Sequence, residues 1–204
     1  MTRTRFAPRR VAALLIAAAA ALPLLACARA AVAADAEAQR QKAQTCIACH
    51  GPQGNSTNPA IPSLAGQPKQ FITTQLVMFR EGRRKDAQMS PLAANLSNAD
   101  IDDFGTYFSA QKPASPAHKS APDKIAASRR LAEQNHCVSC HGPELKGQQH
   151  IPRLAGQQSA YLRAQLRGFK ASTRFDMDGQ MTSAAQALSD ADIELLADYL
   201  SGLP

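Results

Sequence analysis

One stretch of this chain is written twice, and that repeat limits what it can fold into more than any other feature. Cys46-Ile47-Ala48-Cys49-His50-Gly51-Pro52 recurs as Cys137-Val138-Ser139-Cys140-His141-Gly142-Pro143, and Ile61-Pro62-Ser63-Leu64-Ala65-Gly66-Gln67 as Ile151-Pro152-Arg153-Leu154-Ala155-Gly156-Gln157. Gln75-Leu76 and Phe79 match Gln165-Leu166 and Phe169, Gln88-Met89 matches Gln180-Met181, and the run from Leu96-Ser97 to Tyr107 matches that from Leu188-Ser189 to Tyr199. The offset drifts only between 90, 91 and 92. That period is too long for a solenoid and implies two copies of a small domain. Gln111 to Asp123, with Pro113, Pro116 and Pro122 among small and polar residues, disfavours helix and sheet and reads as a connection. The expected organisation is a first domain over 35–112, a linker over 113–122 and a second domain over 123–204.

The first 34 residues stand outside the repeat. Five arginines and no acid precede or flank an Ala/Leu run from Val11 to Ala26, and small residues follow, ending at Ala34. A charged head, an apolar middle and an Ala-x-Ala exit form the plan of a secretory signal peptide, expected at 1–34. The run is 16 residues and contains Pro23, short of the roughly 20 needed to cross a bilayer. Leu24-Leu25-Ala26-Cys27 is an imperfect lipoprotein box, which leaves open membrane association through a lipidated Cys27 or through a partner. Removing this segment changes the charge reading. The full chain carries +7, but residues 35–204 hold 18 basic and 16 acidic side chains. Nucleic-acid binders show a clustered basic excess, so no nucleic-acid partner is expected.

Each unit is close to the size at which apolar burial alone becomes marginal, so something else should help hold it. The coarse pattern is helical, with Ile61 to Gln67 and its counterpart loop-like. Residues 36–45 and 125–135 run into the cysteine motifs without Gly or Pro, and Phe71, Leu76, Phe79, and likewise Leu162, Leu166, Phe169, form apolar stripes. The last helix of each unit opens with a capping box, Ser97-x-x-Asp100 and Ser189-x-x-Asp192. Alternating strand patterns are absent. The expected fold class is all-α.

Cys-x-x-Cys-His on a helix places two thiols and an imidazole on one face. The thiols can bond the edge of a flat macrocycle while the imidazole reaches its central metal, which is the attachment motif of c-type haem. Two copies predict two covalently bound haem c groups, on Cys46 and Cys49 and on Cys137 and Cys140, with His50 and His141 as iron ligands. A thioredoxin-like dithiol needs a βαβ setting, and a four-cysteine zinc site spaces its pairs by about 15 to 20 residues. Neither explains a histidine that follows each pair.

The sixth ligand decides what such an iron does, because a thioether sulfur fills the position and raises the reduction potential. Of five methionines only Met89 and Met181 correspond, 39 and 40 residues after His50 and His141. Met78 faces Gly168, and Met177 is aligned with Lys85. Met89 and Met181, each in a polar loop before the last helix, are the expected axial ligands. Two basic clusters, Arg80, Arg83, Arg84, Lys85 and Arg163, Arg167, Lys170, Arg174, read as solvated faces, with partner docking as the alternative.

Two Cys-x-x-Cys-His units, each followed by Pro-x-Leu-x-Gly and a distal Met, resemble tandem class I cytochrome c domains. The wording Ile-Pro-x-Leu-Ala-Gly-Gln in both halves resembles dihaem cytochromes of the cytochrome c4 type. The resemblance implies two class I domains, each wrapped around one haem c with its edge facing the other. It implies that the carbonyls of Pro62 and Pro152 accept from the ligating histidines. It also implies a periplasmic electron carrier, with no catalytic reaction of its own, between a quinol-oxidising complex or dehydrogenase and a terminal oxidase. The alternatives are the cytochrome subunit of a larger dehydrogenase and a dihaem peroxidase, which needs an open iron position that two matched methionines deny. The two residues by which the second Met loop is longer suggest unequal potentials.

Overall fold

The computed structural model describes residue 35 and residues 37–204. The expected signal peptide 1–34, with Cys27, lies outside the described residues. The chain divides into two units, Met1–Gln41 and Lys42–Pro204. In the first, residues 37–41 are helical and Glu37 pairs with Arg40 one turn on. The two repeats fall in the second unit.

The first repeat comprises helix α1 (42–50), a 3-10 turn Pro52–Gly54, α2 (Lys69–Arg80), α3 (Met89–Ala93) and α4 (Asn98–Ser109). The second comprises α5 (Pro122–Gln134), α6 (Cys137–His141), α7 (Ser159–Lys170), α8 (Gln180–Gln186) and α9 (Asp190–Ser201). Among the described residues there is no strand, only one antiparallel bridge between Gln148 and Ile151. No described helix is long and apolar enough to cross a membrane. The all-α expectation holds.

In each repeat the last helix is the floor of the core. α2 packs on α4, while α5 and α7 pack on α9. Both capping boxes form: Asp100 N–H donates to Ser97 Oγ at 3.1 Å and Ser97 N–H to Asp100 Oδ2 at 3.2 Å, with 3.1 and 2.8 Å for the Ser189/Asp192 pair. These satisfy backbone donors that the first helical turn otherwise leaves orphaned, and they fix where each last helix begins. The first core is aromatic, with Ile72, Phe104, Tyr107 and Phe108 buried and the two adjacent rings edge to face at 5.0 Å. The second is aliphatic, built on Leu145, Leu162, Leu188, Ile193, Leu196 and Leu200.

The expected linker is non-helical up to Ala121, and α5 opens at Pro122, where a proline at the first helical position costs nothing because its missing N–H would have no partner. The segment is strapped down along its length. Asn55 donates to the Lys112 carbonyl (3.1 Å) and accepts from Ala114 N–H (2.7 Å), Ser120 Oγ donates to the Asp198 carbonyl (3.0 Å), and His118 lies 3.3 Å from the Asp198 carboxylate. Proline and small polar residues here make an ordered strap rather than a loose tether.

Candidate haem sites

In both repeats a helical turn presents Cys, Cys and His together. Cys46, Cys49 and His50 end α1, while Cys137, Cys140 and His141 make up most of α6. The approach differs. α1 runs unbroken into its cysteines, whereas the second repeat breaks at Asn135 and His136, the latter left-handed at φ 56°, before α6 restarts. Cys46 and Cys137 are half-buried and Cys49 and Cys140 exposed, and none of the four is tied up in a disulfide. Burial, aided by Cys49, pushes the Cys46 thiol up to about 11, and burial raises Cys137 as well.

His50 and His141 are only 6% and 4% exposed. Each ring nitrogen Nδ1 lies 2.8 Å from a proline carbonyl, Pro62 for His50 and Pro152 for His141. A carbonyl only accepts, so Nδ1 carries the proton and donates. Burial lowers both histidine pKa values against the opposing pull of the carbonyl bond, and the rings are neutral. A neutral imidazole that donates through Nδ1 keeps its lone pair on Nε2, the form a metal-ligating histidine takes.

The proline carbonyls are aimed by the loops that carry them. Leu64 and Ala65 donate to the Gly54 carbonyl at 2.7 and 3.1 Å, and Gly66 donates to the Phe108 carbonyl at 3.0 Å. In the second repeat Leu154 and Ala155 donate to the Leu145 carbonyl at 2.8 and 3.0 Å, and Gly156 to Leu200 at 2.9 Å. Gly66 and Gly156 have φ of 65° and 71°, a region where a side chain would strain the turn.

Met89 and Met181 are half-buried at the first turn of the short helices α3 and α8, not in irregular loops as the sequence suggested. Neither helix has a side-chain cap from its own N-cap residue. Aspartates supply one instead: Met89 N–H donates to Asp86 Oδ1 at 2.8 Å and Met181 N–H to Asp176 Oδ2 at 2.8 Å. Thr182 also donates to Asp176, through Oγ1 at 3.1 Å. Burial opposes ionisation of Asp176, but the bonds from the Met181 backbone, the Asp178 side chain, its own backbone and the Thr182 backbone outweigh it and lower its pKa. Sequence reasoning missed both aspartates, although Asp three residues before Met89 is a legible capping signal.

Arg84 and Arg174 stack alike, over Phe79 at 4.5 Å and over Phe169 at 4.4 Å, so the offset is still 90 at Arg174 and the two extra residues fall between it and Met181. Met177 is 68% exposed and Met78 is buried in α2.

The basic clusters are not uniformly solvated. Arg83 and Lys85 face solvent, but Arg84 turns inward to Gln75 (2.6 Å), Tyr161 Oη (3.1 Å) and Gln165 (3.1 Å), and Arg174 meets Gln165 and reaches Gln75 at 3.5 Å. Arg163 and Arg167 both pair with Glu194, and Lys170 caps the Leu188 carbonyl. Burial and the neighbouring Arg84 bring Arg174 down to about 10, against the pull of Tyr161. Burial alone would raise the Tyr161 phenol, yet the two guanidiniums lower it. Arg174 Nε is buried with no hydrogen-bond partner.

These observations fit a haem. The four cysteines are in no disulfide, and each histidine keeps Nε2 uncommitted. Among the described residues no group of three or more His, Cys, Asp or Glu converges to hold a metal ion.

Comparison with known proteins agrees with this reading. The family model described as "Cytochrome c" matches residues 125–204, and that described as "Cytochrome C oxidase, cbb3-type, subunit III" matches 33–107. The cytochrome c4 of Pseudomonas aeruginosa is 36% identical over 181 residues, covering 84% of this chain and 90% of the relative. A thiosulfate dehydrogenase electron acceptor from Thiomonas intermedia is 37% identical over 175 residues, covering 80% of each. The crystal structure of reduced recombinant cytochrome c4 from Pseudomonas stutzeri superposes with a TM-score of 0.77 at 33% identity, covering 83% of this chain and 98% of that one.

Proposed function

The chain belongs to the cytochrome c4 family of dihaem electron-transfer proteins, and on that premise we propose that it shuttles single electrons in the periplasm from a quinol-oxidising complex or dehydrogenase to a terminal oxidase. Two haem c groups are covalently attached, and when bound they supply one-electron Fe(III)/Fe(II) couples. In this reading Cys46 and Cys49 hold the first and Cys137 and Cys140 the second. His50 with Met89, and His141 with Met181, are the axial ligands. Domains over 35–112 and 123–204 form the two electron sites, and residues 1–34 direct export.

The observation that carries the reading is the pair of buried, neutral histidines fixed through Nδ1 on Pro62 and Pro152 at 2.8 Å. Each is oriented by its own loop, and neither ring has to move when an electron arrives. The sulfurs of Met89 and Met181 would fill the remaining iron positions, leaving none for a substrate, which is the arrangement of an electron carrier. The cationic side chains of Arg84 and Arg174 would suit the carboxylates that a haem carries.

Carbon monoxide tests the ligand set. The reduced protein should bind it slowly or not at all, Met89→Ala should admit it at the first haem alone, and Met181→Ala at the second alone. Each variant should also lower that haem's midpoint, shifting its ferric/ferrous ratio at least about tenfold. Rapid binding by the unaltered protein would overturn the reading. The relative named for thiosulfate dehydrogenase favours a dehydrogenase as donor. Mixing the oxidised chain with a reduced dehydrogenase of that type, and following haem reduction, separates this donor from a quinol-oxidising complex.

A further inference from the structure

The two repeats meet through a pair of glutamines that occupy equivalent positions, Gln67 and Gln157, and that are only 3% and 5% exposed. Gln157, in the second repeat, accepts from Ser63 N–H through Oε1 at 2.7 Å and donates through Nε2 to the Ser63 carbonyl at 2.9 Å. Gln67, in the first, accepts from Arg153 N–H at 2.9 Å and donates to the Arg153 carbonyl at 2.8 Å. Ser63 and Arg153 are themselves equivalent, so the contact is self-complementary: the loop that offers a glutamine also receives one. The amide orientation is settled by chemistry, because a backbone N–H can only meet an amide oxygen and a carbonyl only an amide N–H.

The placement goes beyond what docking needs. Ser63 N–H belongs to the same peptide group as the Pro62 carbonyl, and that carbonyl accepts from His50. Arg153 N–H likewise shares a peptide group with the Pro152 carbonyl, which accepts from His141. A continuous path therefore runs from His50 Nδ1–H through the Pro62–Ser63 peptide to Gln157 in the other repeat, and its mirror runs from His141 to Gln67. Hydrogen bonds in such chains polarise one another. When the glutamine oxygen draws on the peptide N–H, the carbonyl oxygen gains electron density and pulls harder on the imidazole proton. The histidine then becomes a stronger donor at Nε2.

We propose that Gln157 is a positioning residue that tunes the iron ligand of the opposite repeat, His50, and that Gln67 does the same for His141. Docking of the halves and the potential of each haem are thereby coupled. The proposal rests on the His/Met ligation proposed above, and adds that each haem's electronics depend on a side chain of the other domain. A stronger histidine donor favours the ferric state, so the intact clamp holds each midpoint below the value it would have alone.

The test is a redox titration of the full holoprotein followed by NMR, with the two haems told apart by Met89→His, which lowers the first midpoint strongly and so labels it. Gln157→Leu should raise the midpoint of the first haem and leave the second nearly unchanged, and Gln67→Leu should do the reverse. Each shift is on the order of two- to threefold in the ferric/ferrous ratio. If Gln157→Leu does not fold, Gln157→Met, which keeps the side-chain length, carries the same readout. Shifts confined to the variant's own half, equal shifts at both haems, or no shift would overturn the proposal. The optical signature of Met-ligated ferric iron in the unaltered protein separates this failure from a failure of the ligation reading. If that signature is absent, the ligand set is wrong; if it is present and the midpoints do not move crosswise, only the clamp is.

Discussion

The two repeats keep their chemistry identical and build it on different cores. At the carbonyl that receives the histidine loop, the first repeat has Gly54 at φ 79° and the second has Leu145 at φ 56°. Opposite stand Phe108 and Leu200. A Cβ built on Gly54 would lie 2.7 Å from the Phe108 ring, so the glycine is small because the phenylalanine is large. In the second repeat the smaller Leu200 leaves room, and Leu145 fills it, only 3% exposed, at the cost of a left-handed backbone. A left-handed non-glycine residue costs roughly 1–2 kcal/mol, and burying a leucine contributes about 1.5–3 kcal/mol. The two terms nearly offset. The backbone carbonyl that aims the loop is common to both solutions, while the pair of side chains around it differs.

Exchanging the pair should break this equivalence most visibly. Gly54→Leu forces a side chain into the Phe108 ring and into left-handed backbone, and should destabilise the first repeat by about 3 kcal/mol. Adding Phe108→Leu recreates the second repeat's pair and should recover roughly half of that loss. Leu145→Gly should cost less, about 2 kcal/mol, because relief of the backbone partly offsets the cavity. Chemical denaturation monitored at each haem measures all three. A double variant no more stable than Gly54→Leu alone would show that the two solutions are not interchangeable.

A smaller effect separates the methionine loops. Asp86 and Asp176 both hold the methionine N–H, but Asp86 takes Gln88 N–H as its second donor, whereas Asp176 bridges two more residues to reach Met181 and takes Thr182 as well. Removing such a cap typically costs about 1 kcal/mol. Asp176→Ala should therefore loosen Met181 by about that amount, leaving Met89 untouched. The pH dependence follows from the lowered pKa of Asp176. A carboxylate with a depressed folded pKa contributes stability above its unfolded value and loses it as pH falls through the folded value. Acidification below the ordinary carboxylate range should then weaken the Met181–iron optical band, and Asp176→Asn should remove that acid step. A band that fades at the same pH in both proteins would rule Asp176 out as its origin.

The repeat, the cysteine motifs, the matched methionines and the capping boxes were all legible because each is encoded locally. Ser97 and Asp100 need only each other, and Cys46, Cys49 and His50 need only one helical turn. What escaped depends on residues far apart in the chain. Gln67 and Gln157 stand in the repeated motif, yet nothing local says that each reaches the other repeat some ninety residues away. Arg84 and Arg174 read as members of charged faces, and only the juxtaposition of α2 with α7 turns them inward between Gln75, Tyr161 and Gln165.

The smallest contrast is between the two capping boxes. Asp100 and Asp192 make the same bonds to their serines, but Asp100 has a further partner, since Lys42 Nζ lies 3.0 Å from it and 2.6 Å from Asp103. The Ser97 hydroxyl, then Lys42, brings the Asp100 carboxyl down to about 2. Asp192 is lowered by Ser189 with only a distant contribution from Lys170. Both are depressed carboxylates, so both boxes are intact at neutral pH and open as acid protonates the aspartate. The box on α9 should open first as pH falls, and that on α4 only near pH 2. Both groups lie at the surface, so the difference should shrink with added salt. Lys42→Met removes the extra partner without touching the box and should raise the Asp100 midpoint toward that of Asp192. Following the Asp100 and Asp192 amide signals through an acid titration at low salt measures the order directly. If the two boxes open together in the unaltered protein, Lys42 contributes nothing to the cap, and the repeats are equivalent at this point despite the additional ion pair.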